Sequence, residues 1–178
     1  MLLTLSAGNV KAVWNETMLN TKVFSMENVI PFRKDNLYET FFDWGRDFSI
    51  EFSFKYIKEY KENWLNLFHF TTGGNHDDHS SRIPALFIRN SNELILSSGT
   101  TGDDNYVIDL GTVPLGVWQN VVIEQREAFL RVWINSLEVF ANQNSIARNF
   151  HIVHLYLSNP WIESFGYHGE MINFKVSY

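Results

Sequence analysis

"FSIEFSF", residues 48–54, sets Phe48, Ile50, Phe52 and Phe54 on one side of an extended chain and Ser49, Glu51 and Ser53 on the other. Apolar residues at every second position mark a strand with one face in a core and the other in solvent. Short runs of the same kind follow in "WLNLFHF" (64–70), "ALFIR" (85–89), "ELILSS" (93–98), "NYVIDL" (105–110), "WQNVVIEQ" (118–125), "FLRVWI" (129–134), "LEVF" (137–140), "FHIVHLYL" (150–157) and "MINFKVSY" (171–178). Turn formers separate them, among them Gly99 to Asn105, Pro114-Leu115-Gly116, Asn135-Ser136 and Asn159-Pro160. Residues 118–140 read as a meander, with a reversal at Glu127-Ala128 and a second at Asn135-Ser136. The expectation is an all-β antiparallel two-sheet sandwich in one domain, with "MLLTLSAGNV" (1–10) as a first strand. A short helical turn is expected at most in residues 54–64, where Tyr56, Tyr60 and Trp64 lie four apart, and in "NSIARNF".

Composition supports a large core. Of 178 residues, 45% are hydrophobic and 16% aromatic, so the chain folds without covalent staples. There is no Cys, which excludes disulfides, thiolate metal sites and thiol nucleophiles. A net charge of −6 without a basic cluster excludes a phosphate-tracking surface, so no nucleic-acid partner is expected. The apolar start is too short to span a bilayer and lacks the basic flank of a signal peptide. Asn15-Glu16-Thr17 would be a glycosylation sequon in a secreted chain. An extracellular location is expected, although the sequence itself leaves a cytoplasmic one open.

"FSIEFSFK", "NWLNLFHFTTGGN…RIPALFIRN", "GTVPLGVWQNVVIEQ" leading into "FLRVWINSLEVF", and "VHLYLSNPWIESFGYHGEMINFKV" carry a family resemblance. Over residues 37–178 the chain resembles the laminin-G-like, concanavalin A-like jelly-roll superfamily, with residues 1–36 supplying extra N-terminal strands or loops. The resemblance implies that Trp118 opens a strand after the Pro114-Leu115 turn, that Ile134-Asn135-Ser136 joins two strands, and that "MINFKVSY" closes against the first strand. Two positions depart from the pattern: Ser80-Ser81 stand where Gly-Asp precedes Arg-Ile-Pro, and Ser136 replaces the turn Gly. The superfamily holds lectins, adhesion modules, calcium-dependent domains and glycoside hydrolases, so function has to be argued from a site.

The richest stretch is "HFTTGGNHDDHSSRIPAL" (69–86). Asp77 and Asp78, flanked by His76 and His79, suit calcium through carboxylates, a transition metal through imidazoles, direct contact with a ligand, or a solvated loop. A calcium site needs six or more oxygens, and Asp103, Asp104 and Asn105 in "GTTGDDNY" (99–106) are the candidates to supply more. Strands 85–89 and 93–98 form a hairpin, so the loops before and after it leave at one end. Asn159, Trp161, Phe165, Tyr167 and His168 in residues 158–169 add aromatic rings, which stack on sugars or pack over an edge.

No Glu-x-Asp-x-x-Glu pair suits glycoside hydrolysis, and no nucleophile elbow is present, so no enzyme activity is expected. A galectin-type site fails at Thr71, where Asn is required, which leaves His69 as an inward or edge residue of its strand. The expectation is a non-catalytic module binding a glycan or glycoprotein at a loop rim. Its ligand-binding residues would be Asp77, Asp78, Arg82, Asp103, Asp104, Asn105, Asn159, Trp161 and Tyr167. Arg82 would orient a carboxylate; no cofactor is required, with calcium on Asp77, Asp78 and Asp103 as an option. The rival is protein adhesion through Tyr56, Tyr60 and Trp64, or assembly into homo-oligomers through sheet edges.

Overall fold

The computed structural model describes residues 22–31, 36–57, 64–74, 81–89, 92–143, 147–158 and 169–178. In chain order the strands are β1 (Val23–Met26), β2 (Ile30–Pro31), β3 (Leu37–Trp44), β4 (Phe48–Tyr56), β5 (Trp64–Thr71), β6 (Ala85–Arg89), β7 (Glu93–Ser98), β8 (Tyr106–Thr112), β9 (Trp118–Arg126), β10 (Phe129–Ile134), β11 (Leu137–Gln143), β12 (Phe150–Leu157) and β13 (Gly169–Ser177). A seven-stranded sheet runs β1-β13-β4-β9-β10-β11, with β2 also on β13. A six-stranded sheet runs β3-β12-β5-β6-β7-β8. Both are antiparallel, so the molecule is a two-sheet β-sandwich. The first strand expected in residues 1–10 lies outside the described residues.

The alternation in residues 48–54 is realised fully: Phe48, Ile50, Phe52 and Phe54 are buried. Phe52 meets Phe68 of the opposite sheet at 5.4 Å edge-on and Phe174 at 5.6 Å, which joins the two sheets at the core's centre. β5 breaks the period. Asn66 pairs with Phe87 and Phe68 with Leu86, so Leu67 is an extra residue, and Leu67 and Phe68 are both buried in the core. Beyond this bulge the register shifts, which decides where His69 points.

The two sides of the sandwich are closed by different chemistry. On one, Phe24, Phe41, Trp44 and Tyr178 pack together, with Trp44 stacked on Tyr178 at 5.2 Å. Burial, then the charges of Glu39 and Asp43, raises the Tyr178 phenol above its usual value. Lys22 covers the free edge there by donating to the Phe42 carbonyl at 3.1 Å. On the other side, Asn142 of β11 donates to the Tyr106 hydroxyl of β8 at 2.6 Å, and Tyr106 packs against Phe140.

Three of the free edges are irregular. β3 carries an extra residue at Tyr38, β11 one at Val139, and β8 shifts register opposite Glu93–Ile95, beside Gly111 with its φ of 88°. Such breaks spoil the straight row of donors and acceptors that edge-to-edge assembly requires.

Of the contact patch expected at Tyr56, Tyr60 and Trp64, the Tyr56 part is overturned. Tyr56 is the last inward residue of β4 and is buried in the core. Tyr60 lies outside the described residues, and Trp64 leans edge-on against Phe87 beneath the Arg89 guanidinium. Trp64 is itself 39% exposed, and Phe42 (53%) with its cross-strand partner Ile152 (39%) forms a further exposed apolar pair.

Candidate functional site

The β6–β7 hairpin brings the segment before β6 alongside the segment after β7, and the Gly99 amide donates to the Arg82 carbonyl at 2.8 Å. Arg82 Nη1 then donates to Asn105 Oδ1 at 2.7 Å, and the Ser97 hydroxyl donates to the same oxygen at 2.6 Å. Inside the 99–105 loop, Thr100 and Asp103 close a turn: the Thr100 amide donates to the Asp103 carbonyl at 2.7 Å and the Asp103 amide to Thr100 Oγ1 at 3.0 Å. Asp103 Oδ1 accepts the Asn105 amide at 2.9 Å. These are turn uses that Thr and Asp side chains favour.

The loop is also held from its far side. Arg148, between β11 and β12, donates through Nε to the Thr100 carbonyl at 3.0 Å and through Nη2 to Asp104 Oδ1 at 2.9 Å. A planar guanidinium fixes two acceptors at once, so a Gly-containing acidic loop is gripped by one arginine on each flank. What remains on the surface is a polar array. The exposed Asp103 retains Oδ2 as an acceptor, and Asn105 Nδ2 and Arg148 Nη1 are donors with no protein acceptor among the described residues.

Arg82, Asp103, Asp104 and Asn105 are therefore brought together as expected, but with different duties. Arg82, expected to orient a ligand carboxylate, is bonded to Asn105 and lies 5.3 Å over the Phe87 ring. Asp104, expected to accept ligand hydroxyls, is paired with Arg148. Asp77, Asp78, Asn159, Trp161 and Tyr167 lie outside the described residues. The flanks of residues 159–168 sit at the other end of the sandwich: the Ser158 amide bonds to the Leu67 carbonyl, and Gly169 pairs with Tyr56. β12 runs antiparallel to β5, so its late residues approach the start of β5 while His154 faces Thr71 at the Arg82 end.

A cation fits the described residues poorly. Among them no three His, Asp or Glu side chains come together, and of the expected calcium ligands only Asp103 is described. One of its oxygens already serves the turn, and the guanidiniums of Arg82 and Arg148 both act on its loop. A divalent ion needs several oxygens and no neighbouring positive charge, so no role routed through calcium is assigned to these residues.

His69 lies beneath the rim. Tyr156, His69, Ala85, Ser97 and Val107 pair successively across the six-stranded sheet, and the exposure of Val107 identifies this row as facing outward. His69 is thus neither inward nor on an edge: it is on the outer face of a central strand, yet wholly buried, with its ring edge-on to Phe87 at 5.9 Å. Its Nε2 bonds to the Ser81 carbonyl. A carbonyl only accepts, so Nε2 carries the proton. Burial is the main cause holding its pKa down to about 4; the Ser81 bond opposes this and Arg82 adds to it.

His69, Phe87, Ser97, Thr100 and Arg148 were absent from the residues expected at the rim. The bulge at Leu67 hides His69, β6 is buried on both faces and gives Phe87 no alternation to mark it, and Arg148 is an isolated cation after a turn with no periodic signal.

No family model and no curated protein matches the sequence. Solved structures do match. The fold is similar to Trypanosoma rangeli sialidase, seen in complex with sialic acid (TM-score 0.56, 14% identity, 73% of this chain and 20% of that one). It is similar to the botulinum neurotoxin serotype G binding domain (TM-score 0.56, 12% identity, 88% of this chain and 42% of that one). A botulinum neurotoxin type C structure, whose cell entry is described as dependent on interaction with two ganglioside molecules, is also similar (TM-score 0.54, 11% identity, 88% and 42%). This chain spans less than half the length of each, and at these identities the likeness is one of fold.

Proposed function

We propose that this protein is a non-catalytic recognition module for carbohydrate, working outside the cell and binding at the rim formed by Arg82, the 99–105 loop and Arg148. The observation that carries the reading is the pre-set polar array on that rim. Asp103 Oδ2 offers an acceptor and Asn105 Nδ2 and Arg148 Nη1 offer donors, on and beside a loop already immobilised by two guanidiniums. A polyhydroxylated ligand needs such an array, and prior immobilisation removes much of the ordering cost of binding. Sialic acid and gangliosides among the structural neighbours' ligands support a sialylated glycan as the class to try first. In that reading Arg148 Nη1 meets the sugar carboxylate, while Asp103 and Asn105 meet ring hydroxyls.

A glycan array on the purified protein, run with calcium and with chelator beside Asp103→Ala/Arg148→Ala, tests this. Both residues are partly exposed, so the variant stays folded. Selective binding that the variant loses supports the rim; binding that it keeps, or a blank array with folded protein, refutes it. Loss in chelator alone would mean that calcium held by residues beyond the described ones completes the site.

The exposed pair Phe42 and Ile152, on the outer face of β3 and β12, favours a second reading as a protein-docking face. Phe42→Ser would then abolish capture of a protein partner while leaving glycan binding intact.

A further inference from the structure

His69 sits under the rim without reaching its surface, and its contacts run to the rim in a short chain. Its Nε2–H holds the Ser81 carbonyl, where the 71–82 segment rejoins the sheet. Arg82 follows Ser81, and its carbonyl receives the Gly99 amide at 2.8 Å. Its guanidinium reaches Asn105 and covers the face of Phe87, whose edge meets the His69 ring. At the other end of the same segment, the Thr71 hydroxyl donates to the Gly74 carbonyl at 2.8 Å and accepts the Gly73 and Gly74 amides at 3.0 Å each. The segment is therefore clamped at both ends by side chains of β5, by Thr71 where it leaves and by His69 where it returns.

Ser81 is nearly inaccessible, so water cannot replace its bond to His69 while the clamp is closed. A buried carbonyl deprived of its donor is costly, and the backbone at Ser81, just ahead of the Ile83 and Pro84 bonds to Phe70, would shift to regain a partner. The cheapest relief would be movement of Ser81, and Arg82 would move with it, taking both of its bonds to the 99–105 loop.

We propose that His69 is the positioning residue of the rim: by holding the Ser81 carbonyl it fixes Arg82, and through Arg82 it fixes the 99–105 loop. The consequence for binding rests on the rim being the ligand surface, whereas the positioning itself does not. His69 touches no ligand in this scheme. His69 shares the anchoring of Arg82 with the backbone bonds that tie Ile83 and Pro84 to Phe70, and supplies the side-chain part of that anchor.

Hydrogen exchange at the Gly99 amide is the direct readout, with the β4 and β9 amides as reference. His69→Phe keeps the ring and removes the donor; His69→Gln restores a donor of similar reach. The expected result is about fivefold or more faster exchange at Gly99 in His69→Phe, unchanged exchange in β4 and β9, and recovery in His69→Gln. Unchanged exchange at Gly99 in a folded His69→Phe overturns the proposal. Should that variant fail to fold, the ring nitrogens of the wild-type protein decide by NMR: a proton on Nε2 at neutral pH is required, and a proton on Nδ1 alone overturns it. Sialyllactose serves as the binding probe. If it fails to bind wild type while Gly99 loosens as expected, the glycan reading falls and the positioning stands; if it binds wild type and His69→Phe equally, positioning falls and the glycan reading stands.

Discussion

Acid should destabilise this protein through His69, by an amount the structure bounds. Its ordinary value is 6.5 and its folded value about 4. The folded state therefore refuses a proton that the unfolded chain accepts between those two pH values, so stability rises with pH across that window. It is fully present above about pH 6.5 and is lost progressively as pH falls to about 4. The gap amounts to about 3 kcal/mol at ~1.4 kcal/mol per pH unit, an upper figure because the buried site can relax around the charge. Any pH dependence common to wild type and variant cancels in a difference. The assay is accordingly a difference: urea unfolding of wild type and of His69→Gln, each from pH 7.5 to pH 4. Wild type should lose about 2–3 kcal/mol more than the variant over that range, with most of the change below pH 6. A difference that stays constant with pH would refute a buried neutral His69, and with it the account of what holds Ser81.

Ser136 occupies the second left-handed position of the β10–β11 turn, at a φ of 67° after Asn135 at 50°. Ser136→Gly removes about 1–2 kcal/mol of backbone strain and gives back roughly half of that in unfolded-chain freedom, so thermal unfolding should show a net gain of about 0.5–1 kcal/mol. Phe52→Ala empties the meeting point of the two sheets and should cost about 3–5 kcal/mol in denaturant unfolding, whereas Phe42→Ala, at an exposed site, should change stability by less than about 1 kcal/mol. The irregular edges of β3, β8 and β11 predict a monomer in size-exclusion chromatography at micromolar concentration; a stable dimer would show that some other surface assembles.

Much of this sandwich is legible because period two survives wherever one face of a strand meets solvent. β4 shows it without exception, and β9 and β10 follow it closely enough that the meander at 118–140 is read with both turns in place. The fold becomes illegible where both faces are covered. β5 is buried at every residue after Trp64, so "WLNLFHF" carries no alternation to reveal the extra residue at Leu67 or the direction of His69. The candidate site divides in the same way. That Asp103, Asp104 and Asn105 share an end with Arg82 follows from strand count and hairpin geometry. Their duties do not, because these depend on Arg148, which arrives from a segment 44 residues after Asp104. No local pattern announces an arginine that acts at such separation. The edge irregularities are equally hidden, since one extra residue in β3 or β11 leaves composition unchanged.

The paired clamps at Thr71 and His69 tie Gly74 and Ser81, the two ends of one interval of chain, to a single strand. Because both ends are fixed by side chains of one strand, lengthening that interval costs only closure entropy, about 0.6 kcal/mol for each doubling. The two anchors themselves therefore set no fixed length for the interval between them. In a lineage, that is where insertions and new specificities would accumulate first; in the laboratory, it is where a foreign binding segment could be grafted with the register of β5 and β6 undisturbed.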